Sequence, residues 1–371
     1  MAVGMAGRTS PQEPDASAHD TSVGRLPLPR WIIAVLVLIG AILLLWRAFG
    51  ILILQATIQG LVVGSIYVLG ASGLSLTYGI KKFANFAHGD MMTVGAYAAF
   101  TLNVILAQHI LLGFVFAIFA VALLGVFLEL SIFRRLEGRG PVSALIASVG
   151  VSLVLQNVVS AIFTTNVLYL GVNPPADFPL GTTGLSFNTV KGGVTLLVAV
   201  GLILFLHFML KLTTLGKAMR ACADNLILAR ASGINTRNVI LWTWIISGSF
   251  AAVAGVLLAI IVNVFPLLGF FVLLYIFAAV IIGGIGSPYG AMIGGLIIGI
   301  VQKLSNVVFG ALQGRFLEGG AEYEPVGAFL VMIIVLLFLP EGIMGIRRHA
   351  MGGRVAALLA RWRRLGVREP G

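Results

Sequence analysis

The sequence predicts an all-α membrane protein, a polytopic bundle of about ten transmembrane helices. Three observations carry that prediction. Of 371 residues, 59% are hydrophobic and 10% are charged, where a soluble domain carries about 25% charged residues. Thirteen acidic residues cannot solvate the surface of a globule of this size. Apolar stretches of spanning length, roughly 17–25 residues, recur from Trp31 almost to the C-terminus.

Residues 1–30 scatter Pro, Ser, Asp and Gly without an apolar core and are expected to form a disordered tail rather than a signal peptide. Helices are expected at 31–46, 50–79, 88–107, 110–133, 141–163, 191–211, 238–263, 268–284, 288–308 and 325–346. The first is short and ends at Arg47. The second exceeds one crossing, with Gly70 and Gly73 as candidate kink points. Residues 347–371 form a basic tail, leaving 31–346 as the transmembrane domain.

A net charge of +11 raises the question of nucleic acid. That reading needs a basic stripe on a polar domain, whereas these cations sit between apolar runs and in the tails. Arg8, Arg25, Arg30, Lys81, Lys82, Arg134, Arg135 and Arg139 fall on one side of a ten-span topology. Lys211, Lys217, Arg220, Arg230, Arg237 and seven arginines after Glu341 join them, which makes twenty of the 24 Lys and Arg. Arg47, Lys191, Lys303 and Arg315 remain for the other face. Basic loops are retained in the cytoplasm, so both termini are expected there, in a bacterial inner membrane.

Two loops on the opposite face are long. Residues 164–190 contain Asn173-Pro174-Pro175 and Asp177, and 309–324 contain Glu318, Glu322 and Glu324. They read as solvated loops or as a rim for an extracytoplasmic partner. Gly60/Gly64, Gly283/Gly284 and Gly294/Gly295/Gly299 offer small faces for close helix packing, within the bundle or at a dimer face. Cys222, the single cysteine, excludes an internal disulfide and a cysteine-cluster metal site.

Residues 212–237 are too short and polar to cross. Ala, Leu, Met, Lys and Arg favour a helix over about 217–232, with Thr213 or Thr214 to cap its start and Gly233 to end it. Met219, Cys222, Leu226 and Ala229 share one face, and Lys217, Arg220 and Asp224 another. Such a helix rests on the lipid interface or its own bundle, or docks into another protein. In the docking case Cys222 is expected to react with a maleimide from the cytoplasm.

The segment resembles the cytoplasmic coupling loop of the branched-chain amino acid permeases of ABC transporters (the LivH type). The matching residues are Gly216, Lys217, Ala218, Arg220, Ala221, Ala223, Asp224, Ala229, Gly233, Ile234 and Asn235. Leu76-Thr77-Tyr78-Gly79 with Asn85-Phe86-Ala87-His88-Gly89-Asp90 is similar to the family's Asn-Phe-Ala-His-Gly signature. Gly283 to Ala291, with Gly294-Gly295, resembles its late glycine-rich turn. The resemblance runs from about 51 to 346, and residues 1–50 look like an extension. It implies an ATP-driven importer with a second permease subunit, identical or similar, two cytoplasmic ATPases and an extracytoplasmic binding protein. It favours branched-chain amino acids, with urea or short amides as the alternative. ATPase coupling then falls to Gly216, Lys217, Arg220, Ala221, Asp224, Ala229 and Gly233, and a gate to Tyr78, Asn85, Phe86, His88, Gly89 and Asp90.

At the second motif, Asn85 and Asp90 suit free amides and the positive dipole end of the next helix. A titrating His88–Asp90 pair is the alternative. Polar residues inside spans are candidate path lining: Gln59, Ser65, Ser72, Gln156, Asn157 and Asn263, with Gln55, Tyr67, Ser75, Ser247 and Ser249. Glu129, close before Arg134 and Arg135, is expected to snorkel to the interface. The only Gly-Lys pair, Gly216-Lys217, precedes Ala218, so no P-loop is present and no cofactor is expected on this chain. An ion-coupled secondary transporter would need intramembrane carboxylates, for which only Glu129 and Asp90 offer themselves. An enzyme would need converging ligands that five dispersed histidines do not supply.

Overall fold

The computed structural model describes residues 40, 47, 50–172, 178–179, 186–312, 323–339 and 341–344. Apart from Gly40, the helix expected over 31–46 lies outside these residues, as do both tails, 173–177 and 180–185 of the first long loop, and 313–322 of the second. Eleven α-helices follow in order among the described residues. They are α1 (Ile51–Lys81), α2 (Ala87–Phe100), α3 (Ile110–Ser131), α4 (Pro141–Phe163), α5 (Thr195–Leu212) and α6 (Thr214–Asp224). The remainder are α7 (Leu226–Ala231), α8 (Thr236–Val262), α9 (Leu268–Gly283), α10 (Pro288–Leu312) and α11 (Glu324–Phe338). A two-residue antiparallel pair, Phe178–Pro179 with Ser186–Phe187, lies in the long loop before α5.

Among the described residues seven helices are long and apolar enough to cross a membrane. The spans expected at 88–107 and 268–284 are shorter. The first is the 14-residue α2, continued by a π turn over Thr101–Ile105, and the second is the 16-residue α9. The turn widens the helix just before Ala107, which adopts a positive φ and reverses the chain into α3.

The bundle is organised around α1 and α8, the two most buried spans. Their apolar residues leave no polar stripe, as expected of helices surrounded by other helices. α3, α4, α5 and α11 form the periphery, where Phe119, Leu197 and Leu337 each stand about three-quarters exposed on an apolar flank. Lipid is the solvent such flanks require.

The most extensively packed helix pair is α1 with α10, and glycine lets their backbones come close. A Cβ on Gly60 would come 2.6 Å from Ile300 Cα, and one on Gly299 would come 2.6 Å from Gly60 O while overlapping the Gly64 backbone. The small faces at Gly60/Gly64 and Gly295/Gly299 thus meet each other inside one chain. They are consumed within the bundle and leave no dimer face there. α1 runs unbroken through Gly70 and Gly73, where Ile276 and the His88 ring fill the space a side chain would take.

Candidate functional site

Two regions of polar chemistry sit at opposite ends of the bundle. At the end carrying Lys81 and Lys82, the chain leaves α1, turns, and re-enters as α2. Asn85 Oδ1 accepts from Ala87 N at 3.1 Å and so closes the turn. Phe86 N donates to Ser148 Oγ of α4 at 3.0 Å, while its ring packs 4.9 Å from that of Phe277. Tyr78 is half-buried against Gly286 of the late glycine-rich turn. His88 is fully buried and its Nε2 lies 2.9 Å from Gly70 O. Gly89 packs directly on Gly269 of α9.

Asp90 is buried in the first turn of α2, at the positive dipole end as expected, though Phe86 rather than Asp90 holds the N-cap position. Its carboxylate accepts from Ser152 Oγ and, at 3.0 Å, from Gln156 Nε2, both on α4. A buried carboxylate needs donors at both oxygens, and α4 supplies one to each. His88 and Asp90 therefore face different helices and form no pair. Gln156 is thereby a partner of Asp90 rather than a free lining group.

Glu129 departs from its expected place. It is 3% exposed and its Oε1 accepts from Lys81 Nζ at 2.7 Å, with Glu137 sharing the same ammonium at 2.8 Å. The local reading set it as a charge snorkelling to the interface, close before Arg134 and Arg135. The fold instead brings the last turn of α1 against the last turn of α3, where a buried charge finds its opposite.

Beyond these helix ends lies the segment 212–237. The single helix expected over 217–232 is two. Thr213 Oγ1 accepts from Gly216 N at 3.0 Å and caps α6. Asn225 then leaves helical geometry, and its side chain accepts from Ile227 N and Leu228 N, both at 3.0 Å, to cap α7. An Asn offers the backbone this alternative bond, which breaks the helix where composition alone favours continuity. α7 is followed by Gly233, at φ 84°.

The apolar face of α6 rests on its own bundle. Gly216, Met219 and Cys222 are buried, and a Cβ at Gly216 would lie 2.5 Å from Leu210 Cα of α5. Cys222, 1% exposed, is closed to reagents rather than open to them. Lys217, Arg220 and Asp224 are exposed, Ala221 is half-buried and Ala229 is buried. Ile227 and Leu228, which sequence reasoning passed over, project at 82% and 64% exposure. Lys82 Nζ donates to Ala223 O at 2.8 Å, tying the turn between α1 and α2 to the last turn of α6.

At the opposite end a cavity of about 510 Å³ opens between α1, α8, α9 and α10, within the ~300–1,000 Å³ typical of small-molecule sites. Gln55 and Gln59 reach it from the first turns of α1. Its floor is the stacked pair Tyr67–Tyr275, centroids 5.4 Å apart, with Tyr67 Oη donating to Gln302 Oε1 at 2.5 Å. Phe329 of α11 stacks on Tyr275 in turn. Lys303 Nζ meets Glu324 Oε1 at 3.1 Å at the rim. Neither charge figured among the candidate lining groups, because the uncharged residues drew that expectation.

Of the other candidate lining groups, Ser65 and Ser72 donate to Val62 O and Val68 O of their own helix. Asn157 is exposed and donates to Leu153 O. Asn263 ends α8 at φ 85° and is not one of the residues that line the cavity. Ser247 donates to Gly73 O and Ser249 to Ile245 O. Ser75 is buried within α1.

Spanning helices around a small-molecule cavity, with an amphipathic helix pair lying beyond the spans, define a multi-pass membrane permease. Residues 56–339 match the family described as branched-chain amino acid transport system, permease component. The chain is 35% identical over 307 residues to the high-affinity branched-chain amino acid transport system permease protein BraD of Pseudomonas aeruginosa, covering 79% of this chain and 95% of BraD. LivH of Escherichia coli K12 gives the same identity and coverage. The probable LivH of Methanocaldococcus jannaschii is 33% identical, covering 77% of this chain and 90% of that protein. The chain belongs to the branched-chain amino acid transport system permease family.

Proposed function

We propose that this chain is the permease subunit of an ATP-driven importer for branched-chain amino acids in the bacterial inner membrane, with both termini in the cytoplasm. It pairs with a second permease subunit, identical or similar. Two cytoplasmic ATPases and an extracytoplasmic binding protein complete the assembly. ATP hydrolysis belongs to those ATPases, and this chain binds no cofactor.

The observation that carries the reading is the pair Ile227 and Leu228. Large apolar side chains are seldom left this exposed on a polar face outside the spans unless a partner covers them. Asn225 fixes their direction by capping α7. α6 beneath them is seated on the bundle, so force applied at α7 is transmitted rather than absorbed. Lys217, Arg220 and Asp224 are exposed on the adjoining α6 and supply the charged groups that protein interfaces commonly carry at their rims. Gly216, Ala221, Ala229 and Gly233 act by packing and turning the chain.

Closure of the ATPase pair would move α6–α7, and through Lys82 the turn holding Tyr78, Asn85, Phe86, His88, Gly89 and Asp90. That turn serves as the gate at the cytoplasmic end, and the cavity with Gln59 as the outward vestibule. ATP must bind the two states with different affinity to shift them.

The test is co-purification in gentle detergent. Two ATPase subunits should accompany each permease pair, and Ile227→Asp with Leu228→Asp should release them while the permease still folds. A permease that keeps its ATPases after both substitutions sinks the docking role of α7. A lone chain that transports without any ATPase sinks the importer.

A further inference from the structure

The cavity opposite Lys81 holds a combination of groups that gating leaves unused. One wall is apolar, from Val62 of α1, Leu258 of α8 and Val272 of α9. At its rim Lys303 and Glu324 stand 3.1 Å apart, with side chains 26% and 17% exposed, and Lys191 lines the same cavity as a second ammonium. A partly dehydrated ion pair adds little to stability, because desolvation offsets most of the attraction. Placed beside an open apolar cavity, the pair is better suited to exchange than to holding helices together.

We propose that Lys303 and Glu324 form a clamp for a free α-amino acid zwitterion with a branched aliphatic side chain. The proposal rests on the importer reading and narrows it to a subsite on this chain. An α-amino acid carries its carboxylate and ammonium on neighbouring bonds of one carbon, so both reach a pair of opposite charges a few ångströms apart. Lys303 takes the carboxylate and Glu324 the ammonium. The aliphatic branch then lies against Val62, Leu258 and Val272, where its burial is favourable.

Without ligand the two side chains neutralise each other, so neither charge is stranded. Binding replaces one ion pair with two. Asn306 Nδ2, 3.2 Å from Glu324 Oε2, holds the carboxylate in place as Lys303 turns away. The Tyr67–Tyr275 stack closes the floor beneath the ligand. Urea and simple amides carry neither charge and leave the ion pair unopened. A carboxylic acid without the amine strands Glu324, and an amine without the carboxylate strands Lys303.

The probes are leucine, 4-methylpentanoate, 3-methylbutylamine and urea, offered to the full chain in nanodiscs and read by saturation-transfer NMR. Leucine should give signal, strongest at its methyls, and the other three should bind about tenfold more weakly or worse. Lys303→Met and Glu324→Gln should each weaken leucine by a similar factor. The charge-swapped double variant, Lys303→Glu with Glu324→Lys, controls for a merely structural pair. It should melt like the parent yet fail to recover leucine, since a reversed clamp turns the branch away from the apolar wall.

Recovery of leucine binding by the swap, unchanged binding in the single variants, or equal binding of all four probes would overturn the clamp. So would silence of the parent toward leucine. Leucine uptake dependent on this chain, measured in cells with and without it, scores the importer separately. Uptake without binding at this cavity removes the clamp alone, and absence of uptake removes both.

Discussion

Replacing Lys81 with Met deletes the cation that is ion-paired to Glu129. The two side chains are 7% and 3% exposed and 2.7 Å apart. Breaking a buried pair by removing one partner costs about 3–5 kcal/mol, because the remaining charge is left uncompensated. Glu137, 42% exposed, adds little, since it turns to water when Lys81 goes. The reciprocal change is milder. Glu129→Gln leaves Lys81 its bond to Glu137, and the amide oxygen still accepts, so about 1 kcal/mol is expected. Lys81→Met combined with Glu129→Leu removes both charges and should regain most of the loss. The assay is unfolding of the purified protein in one fixed detergent. At 1.4 kcal/mol per factor of ten, Lys81→Met shifts the folded-to-unfolded ratio by about 100-fold or more. Equal losses from Lys81→Met and Glu129→Gln, or no rescue by the double variant, would refute a buried pair with asymmetric support.

Three further outcomes are expected. Gly299→Ala should destabilise by about 1–3 kcal/mol through overpacking, as its Cβ would meet the Gly64 backbone. Gly201→Ala, with nothing within 4 Å, should be neutral or stabilising in the same melts, and matching behaviour would undo the account of α1 against α10. Asn225→Ala removes the cap of α7 at a cost of about 1 kcal/mol, and should lower transport far more than it lowers the melting temperature. A parallel loss would make the residue structural. Burial pushes the Cys222 thiol up, so native protein should label more slowly than free cysteine at every pH and need more alkaline conditions. Because the folded value is the higher one, the group favours unfolding as pH rises above about 9, its ordinary value. Fast labelling near neutral pH in folded protein would contradict the packing of α6.

Much of the architecture was legible in the sequence. Pro141 and Phe163 bound α4 where the apolar run begins and ends, and Thr213 caps α6. These features are local, set by a cap or a hydrophobic run. What escaped was non-local. Lys81 and Glu129 meet across 48 residues, and Lys303 and Glu324 meet across 21 residues and a loop, so neither pairing has a spacing to read. The glycine stripes were visible, yet whether they faced another part of the same chain or another chain was a tertiary fact. Asn225 is the exception. Its capping chemistry was present in the residue type, and helix propensity summed over neighbours hid it.

The contact between α1 and α10 sets a timetable for assembly. Tyr67 and Gln302 bond across 235 residues of chain, an interval that synthesis at about 5–20 residues per second fills in some tens of seconds. Through that interval α1 waits in the bilayer with its glycine-lined flank against lipid tails, which cannot replace the backbone of α10. The core of this protein is therefore completed late, when nearly all the chain has been made. A ribosome that stalls after α9 releases a product whose central helix still lacks its principal neighbour. Quality control in the membrane would meet that product as an orphaned span.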